Sequence, residues 1–94
     1  PFEVESALEK LDEIREAVVI GLSDPEWGQA VSAFVISSGE SRPEEELLRS
    51  KLQKKLSPYK VPKRIIVVED LPRTGSGKID RRRLKLIYEQ SRRE

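Results

Sequence analysis

Neither cysteine nor histidine occurs in these 94 residues. The first absence excludes disulfides and thiolate chemistry, and the two together remove imidazole general bases and the commonest transition-metal ligands. Long apolar runs are missing as well. None approaches the length of a membrane span, and no secretory leader is visible at Pro1, where the chain starts without methionine and reads as an excised or truncated piece. A cytoplasmic location is expected. Aromatic residues are few, and 36% apolar against 37% charged residues describes one small folded domain with a thin core.

Charge is abundant but divided. Residues 1–50 carry four basic and twelve acidic side chains, whereas residues 51–94 carry fourteen basic and five acidic ones. Such asymmetry points to an anionic partner for the second half, or to two halves that neutralise each other in the fold.

Pro1 to Leu11 has the spacing of an amphipathic helix, with Val4, Ala7, Leu8 and Leu11 on one stripe. Glu3 and Glu5 fall elsewhere and read as solvated surface charge. Ile14 to Leu22 holds the apolar run Ala17-Val18-Val19-Ile20, a buried strand; Ser23-Asp24-Pro25-Glu26 is turn chemistry, and a second strand, Ala30 to Ile36, is expected antiparallel to the first. Trp27, the single tryptophan, stands in that polar loop as a lid over the core or a stacking surface for a planar ligand, with Gly28 beside it to permit close approach. Ser41 and Glu44 have capping-box spacing for a helix over 43–56, which carries acids in its first turn and bases late. Two prolines then break the chain in Ser57-Pro58-Tyr59-Lys60-Val61-Pro62, where Tyr59 with Lys60 and Lys63 forms an aromatic and two cations on a stiff loop, suited to a phosphorylated nucleotide. Ile65-Ile66-Val67-Val68 is a third strand, expected at the centre of the sheet because both faces are apolar.

The rest of the chain leads to Leu71-Pro72-Arg73-Thr74-Gly75-Ser76-Gly77-Lys78-Ile79-Asp80-Arg81-Arg82-Arg83. Gly75 and Gly77 allow a sharp bend, and Lys78 is a compact charge on a flexible arm. Asp80 is a good helix cap, but Arg81 to Arg83 then fill a first helical turn, where the dipole disfavours cations. Anions from outside the segment, such as a phosphate or the carboxylates of another domain, are expected to meet them. The phosphate-loop and dinucleotide-loop patterns both fail: position 72 is proline, Ile79 follows the lysine, and position 80 is aspartate.

The lysine segment, together with Tyr59-Lys60-Val61-Pro62-Lys63, Asp24-Pro25-Glu26-Trp27-Gly28-Gln29 and Pro1-Phe2-Glu3-Val4-Glu5, resembles the C-terminal part of acyl-adenylate-forming enzymes, most of all the AMP-forming acyl- and aryl-CoA synthetases. The resemblance runs nearly the whole chain in order. It agrees with the element order, helix, strand, strand, helix, strand, loop, helix, which describes an α+β domain with a small three-stranded sheet flanked by three helices, the mobile C-terminal lid of those enzymes. The resemblance implies a large N-terminal adenylation domain as partner, absent here along with the hinge, so that the isolated chain is expected to be inactive. ATP, Mg2+ and coenzyme A are the implied cofactors, the first two bound mainly by that other domain. Lys78 corresponds to the family's adenylation lysine, within the loop Thr74, Gly75, Ser76 and Gly77. Trp27, Gly28, Tyr59 and Lys63 match positions that hold coenzyme A in relatives, although Val61 replaces a basic residue that some of them carry. Arg81 and Arg82 are assigned to docking or phosphate neutralisation. No structural metal, nucleic-acid partner or membrane span is expected. Three rivals stand beside this reading: an adenylation domain that loads a carrier protein, a basic nucleic-acid module, and an interaction domain in which Lys78 is an ordinary surface lysine.

Overall fold

The structure is a computed structural model that describes residues 2–25 and 28–92. Its elements are α1 (Phe2–Glu9), β1 (Ile14–Asp24), β2 (Gly28–Ser37), α2 (Glu45–Gln53), a 3-10 turn at Pro58–Lys60, β3 (Arg64–Val68) and α3 (Arg81–Arg92). This is the expected α+β fold: three strands flanked by three helices. β1 and β2 are antiparallel, with Val18 opposite Phe34, and β3 runs parallel to β2, with Ile66 opposite Phe34.

The sheet order is β1-β2-β3, so β2 is central and β3 is an edge strand, contrary to expectation. The physical reason lies in the layers. On one face Val4, Leu8 and Leu11 from α1 and Leu48 and Leu52 from α2 cover Ala17, Val19, Ala33, Val35 and Ile65. On the other, Leu84 from α3 and Leu71 pack against Val18, Leu22, Phe34 and Ile36, with Ile66, Val68, Ile79 and Tyr88 alongside. Helices on both faces make even an edge strand apolar on two sides, so two apolar faces do not distinguish edge from centre.

Helix carboxylates accept N–H groups along both open edges. Every second N–H of an edge strand points away from its partner and needs an acceptor. On β1 the N–H of Ala17 donates to Glu9 (3.4 Å), that of Val19 to Glu5 (2.7 Å) and that of Ser23 to Glu89 (3.0 Å). On β3 the N–H of Ile65 donates to Glu45 (3.2 Å). This explains why β1 reaches Asp24, past the Ser23 and Asp24 positions that read as turn: Ser23 is held from α3, and Asp24 pairs with Gly28.

The predicted capping box does not form. α2 begins at Glu45 after an extended Glu44 that makes no side-chain cap, so Ser41 lies four residues ahead of the helix, in a loop where its carbonyl accepts a bond from the Ser37 hydroxyl. Glu45 is occupied with Arg49 and the β3 edge, so the first turn serves the sheet as well as the helix dipole.

The divided charge is partly resolved within the domain. Ion pairs join Glu3 to Lys60, Glu13 to Lys51, Glu16 to Arg73 and Glu5 to Arg81, each linking the acidic half to the basic one. Burial works to raise the carboxyls of Glu5 and Glu45, but hydrogen bonds from Arg81 and Val19 to the first, and from Arg49 and Ile65 to the second, hold both below the ordinary 4.5. A carboxyl depressed by folding stabilises the fold above its unfolded value and loses that contribution as pH falls through the folded one. The urea midpoint is therefore expected to hold from neutrality down to about pH 4.5 and to drop below it, with a shallower drop in Glu5→Gln. An acid limb of unchanged slope in that variant would count against Glu5 as a contributor.

Candidate functional site

The lysine segment is a small β-hairpin. Arg73 and Ile79 form an antiparallel bridge, the Thr74 N–H donates to the Lys78 carbonyl (2.8 Å), and the Gly77 N–H donates to the Thr74 carbonyl (2.9 Å). Gly77 has φ of 88°, in the left-handed region where a side chain is strained, whereas Gly75 does not take positive φ. Only one of the two glycines is thus required by backbone geometry. The hydroxyls of Thr74 and Ser76 lie 3.1 Å apart at the tip, and the side chains of residues 73–78 are exposed. Lys78 stands at the exit of the tip, exposed and without an ion pair among the described residues.

The hairpin is held at its base. Ile79 packs beside Phe34 and Leu84, and the Asp80 N–H donates to the Pro72 carbonyl (2.8 Å), which closes the hairpin onto α3. Asp80 also caps α3 as expected, its Oδ1 accepting the Arg83 N–H (3.0 Å). At the other stem Arg73 pairs with Glu16 of β1, a contact that the sequence analysis did not anticipate.

The three arginines divide. The Arg81 guanidinium makes a two-pronged bond to Glu5 on α1, with Nη1 to Oε2 at 2.7 Å and Nη2 to Oε1 at 3.1 Å. Its anion does come from outside the segment, but it is a carboxylate of the same domain rather than a phosphate or another domain's side chain. Arg82 and Arg83 remain exposed, with no ion pair among the described residues. Glu5, read from sequence as solvated surface charge, is buried at 8% exposure. The helical wheel carried the missing signal: position 5 lies three residues before Leu8 and next to Val4, at the border of the apolar stripe.

The nucleotide-type group lies elsewhere. Tyr59 and Lys60 end the 3-10 turn, with the Lys60 Nζ 5.8 Å from the Tyr59 ring centre and bonded to Glu3 of α1 at 2.9 to 3.0 Å. That carboxylate raises the Lys60 pKa. Tyr59 is 83% exposed, so it does not cap the core. Buried Pro62 anchors the turn, and an extended Val61 packs against the α1–α2 face of the sheet. A groove of about 310 Å3 opens there, walled by Glu3, Val4, Tyr59 and Lys60 over Val19 and Val31. Lys63 leaves the turn at the head of β3, its N–H bonded to the Val31 carbonyl (2.9 Å). Gly28 opens β2 with φ of 79° and an open space where a side chain would project. Trp27 lies outside the described residues.

The lysine hairpin and the Tyr59–Lys60 turn therefore pack on opposite faces of one sheet. A small α+β domain with a lysine hairpin on one face and an aromatic-cation turn on the other defines a class. The family profile described as "AMP-binding enzyme C-terminal domain" matches residues 3–78, and the chain belongs to that family. It is 42% identical over 90 residues, 96% of its length, to a 2-succinylbenzoate–CoA ligase of Bacillus cereus (strain Q1). Among solved structures, an acyl-CoA synthetase of Brucella canis superposes over the whole chain with TM-score 0.85 at 39% identity, and ATP-bound MatB of Rhodopseudomonas palustris over 97% of it with TM-score 0.88 at 30%. The chain spans 18% of the length of each of these relatives. Among the described residues no helix is long and apolar enough to cross a membrane.

Proposed function

We propose that this chain is the lid of an ATP-dependent acyl-CoA ligase, joined to a large N-terminal adenylation domain, and that its two faces serve successive half-reactions. The observation that carries the reading is the separation of Lys78 from the Tyr59–Lys60 turn by the thickness of the sheet, so that one rigid domain can offer either face to a common reaction centre.

In the first half-reaction an oxygen of the substrate carboxylate bonds to the α-phosphorus of ATP, the bond to the β-phosphate oxygen breaks, and pyrophosphate leaves. Lys78 donates hydrogen bonds to the negative charge that gathers between carboxylate and α-phosphate, from a hairpin whose backbone is already ordered. The exposed hydroxyls of Thr74 and Ser76 and the bend at Gly75 and Gly77 let the tip approach phosphate oxygens. Arg82 faces solvent and serves docking or phosphate neutralisation, while Arg81 holds the domain together. Mg2+ accompanies ATP on the other domain; among the described residues no three acidic side chains converge as a metal site. In the second half-reaction the thiol of coenzyme A loses its proton and attacks the acyl carbonyl, and AMP leaves. Trp27, Gly28, Tyr59 and Lys63 hold the nucleotide end of coenzyme A, by stacking and by charge.

Truncation of a stacking ring costs about 1–3 kcal/mol. Trp27→Ala and Tyr59→Ala in the intact enzyme are accordingly expected to raise KM for coenzyme A by about 5- to 100-fold while pyrophosphate exchange proceeds at the parent rate. Equal slowing of both half-reactions would remove the coenzyme A assignment, and faster transfer to a phosphopantetheinylated carrier protein than to coenzyme A would favour the carrier-loading rival. The nucleic-acid rival has lost two of its parts: Arg81 is engaged by Glu5, and Tyr88 packs its ring 4.5 Å from Phe34.

A further inference from the structure

Glu5 is the only glutamate of α1 that is buried, and its two oxygens take three hydrogen bonds: one from the Val19 N–H and two from the Arg81 guanidinium. Edge closure alone does not call for the arginine, since Glu9 accepts the N–H of the neighbouring position at Ala17 with no ion pair to a cation among the described residues. The fork of Arg81 adds direction as well as energy, because two parallel bonds fix the guanidinium plane. Its effect is to tie the first residue of α3 around the free edge of β1 to α1, on the far side of the sheet.

The segment between Arg81 and Lys78 has little slack. Ile79 is bridged to Arg73 and packed against the core, and Asp80 is bonded through its N–H to Pro72 and through its carboxylate to Arg83. The opposite stem is fixed through Arg73 to Glu16. A displacement of Arg81 is therefore passed to Lys78 rather than absorbed by the chain. Resting on the reading of Lys78 given above, we propose that Glu5 is the positioning residue of the lysine hairpin: through Arg81 it sets where Lys78 is presented during acyl-adenylate formation.

The test uses the intact enzyme and measures pyrophosphate exchange and thioester formation from pre-made acyl-adenylate separately. A misplacement of about 1 Å costs a reaction on the order of 100-fold, so Glu5→Gln is expected to lower kcat for adenylation by about 10- to 100-fold, with KM for ATP and acid and the thioester step near the parent values. Arg81→Lys keeps the charge without the fork and should lose less, while Glu5→Gln combined with Arg81→Gln should be no slower than the worse single variant. Glu9→Gln, at the same strand edge, should leave both steps unchanged. If Glu5→Gln slows both steps in parallel with a fall in Tm, or slows neither, the positioning role is overturned. Should Glu5→Gln yield too little folded enzyme, Arg81→Lys decides: a selective loss of adenylation supports the role, and no loss overturns it. Lys78→Ala is measured beside them. Full adenylation in Lys78→Ala overturns both the reading of Lys78 and the role of Glu5; its loss there with a silent Glu5→Gln overturns the role of Glu5 alone.

Discussion

Lys78→Ala in the intact enzyme is expected to lower acyl-adenylate formation by about 10²- to 10³-fold, the usual cost of removing one preorganised donor from developing negative charge. The stability of the domain should hardly change. The side chain is exposed and makes no ion pair among the described residues, and surface substitutions of that kind stay within about 0.5 kcal/mol. The hairpin itself is built from backbone bonds between Thr74, Gly77 and Lys78 and from the bend at Gly77, none of which needs the ammonium group. Loss of adenylation can thus be read as lost chemistry. Thioester formation from pre-made adenylate should proceed at the parent rate, because the hairpin packs on the sheet face opposite the Tyr59–Lys60 turn. Pyrophosphate exchange reads the first step and release of the thioester the second. Survival of both would make the hairpin structural; loss of both would mean that Lys78 acts in each state, which a two-faced lid does not allow.

The largest stability effect is expected at Phe34. It is fully buried in the central strand, opposite Val18 on one side and Ile66 on the other, and its ring meets Tyr88 of α3 at 4.5 Å with the planes tilted by 58°. Phe34→Ala removes the largest buried side chain of the second core and leaves a cavity between two strands and a helix, at a cost of about 3–5 kcal/mol. Small domains have about 5–15 kcal/mol in total, so the variant should be partly unfolded near room temperature or lose most of its urea midpoint. Phe34→Leu, which keeps much of the volume, should lose far less. An alanine variant with the parent midpoint would mean that α3 is not docked through this contact. In that event the stiffness attributed to the hairpin, which leans on the same core through Ile79, would fall too.

How much of this was legible without coordinates can be judged residue by residue. Val4, Leu8 and Leu11 announce themselves by the helical repeat of one stripe, and Val18 and Val19 by a continuous apolar run that is buried on both faces of the sheet. Asp80 as a cap and Pro62 as a break act on their immediate neighbours, and each does in the structure what its chemistry implies. Ser41 and Glu44 mislead because a capping box is one of several local options, and α2 starts only at Glu45, which leaves Ser41 too far ahead of the first turn to cap it. β3 misleads because an apolar strand reports how many of its faces are covered, not how many of its edges are paired.

Local chemistry and repeat therefore settled the element order, the α+β class, the lysine loop with its family likeness and the anchored turn beneath Tyr59. Tertiary structure alone decided that β2 is the central strand, that helix carboxylates accept N–H groups along both sheet edges, that the lysine hairpin and the Tyr59–Lys60 turn sit on opposite faces, and that Glu5 is an interior acid holding Arg81. The last of these joins residues 76 positions apart in the chain. A side chain's own type and spacing state what it can bind, but which distant donor comes within 3 Å of it is set by the packing of whole layers, and only the folded chain brings those layers together.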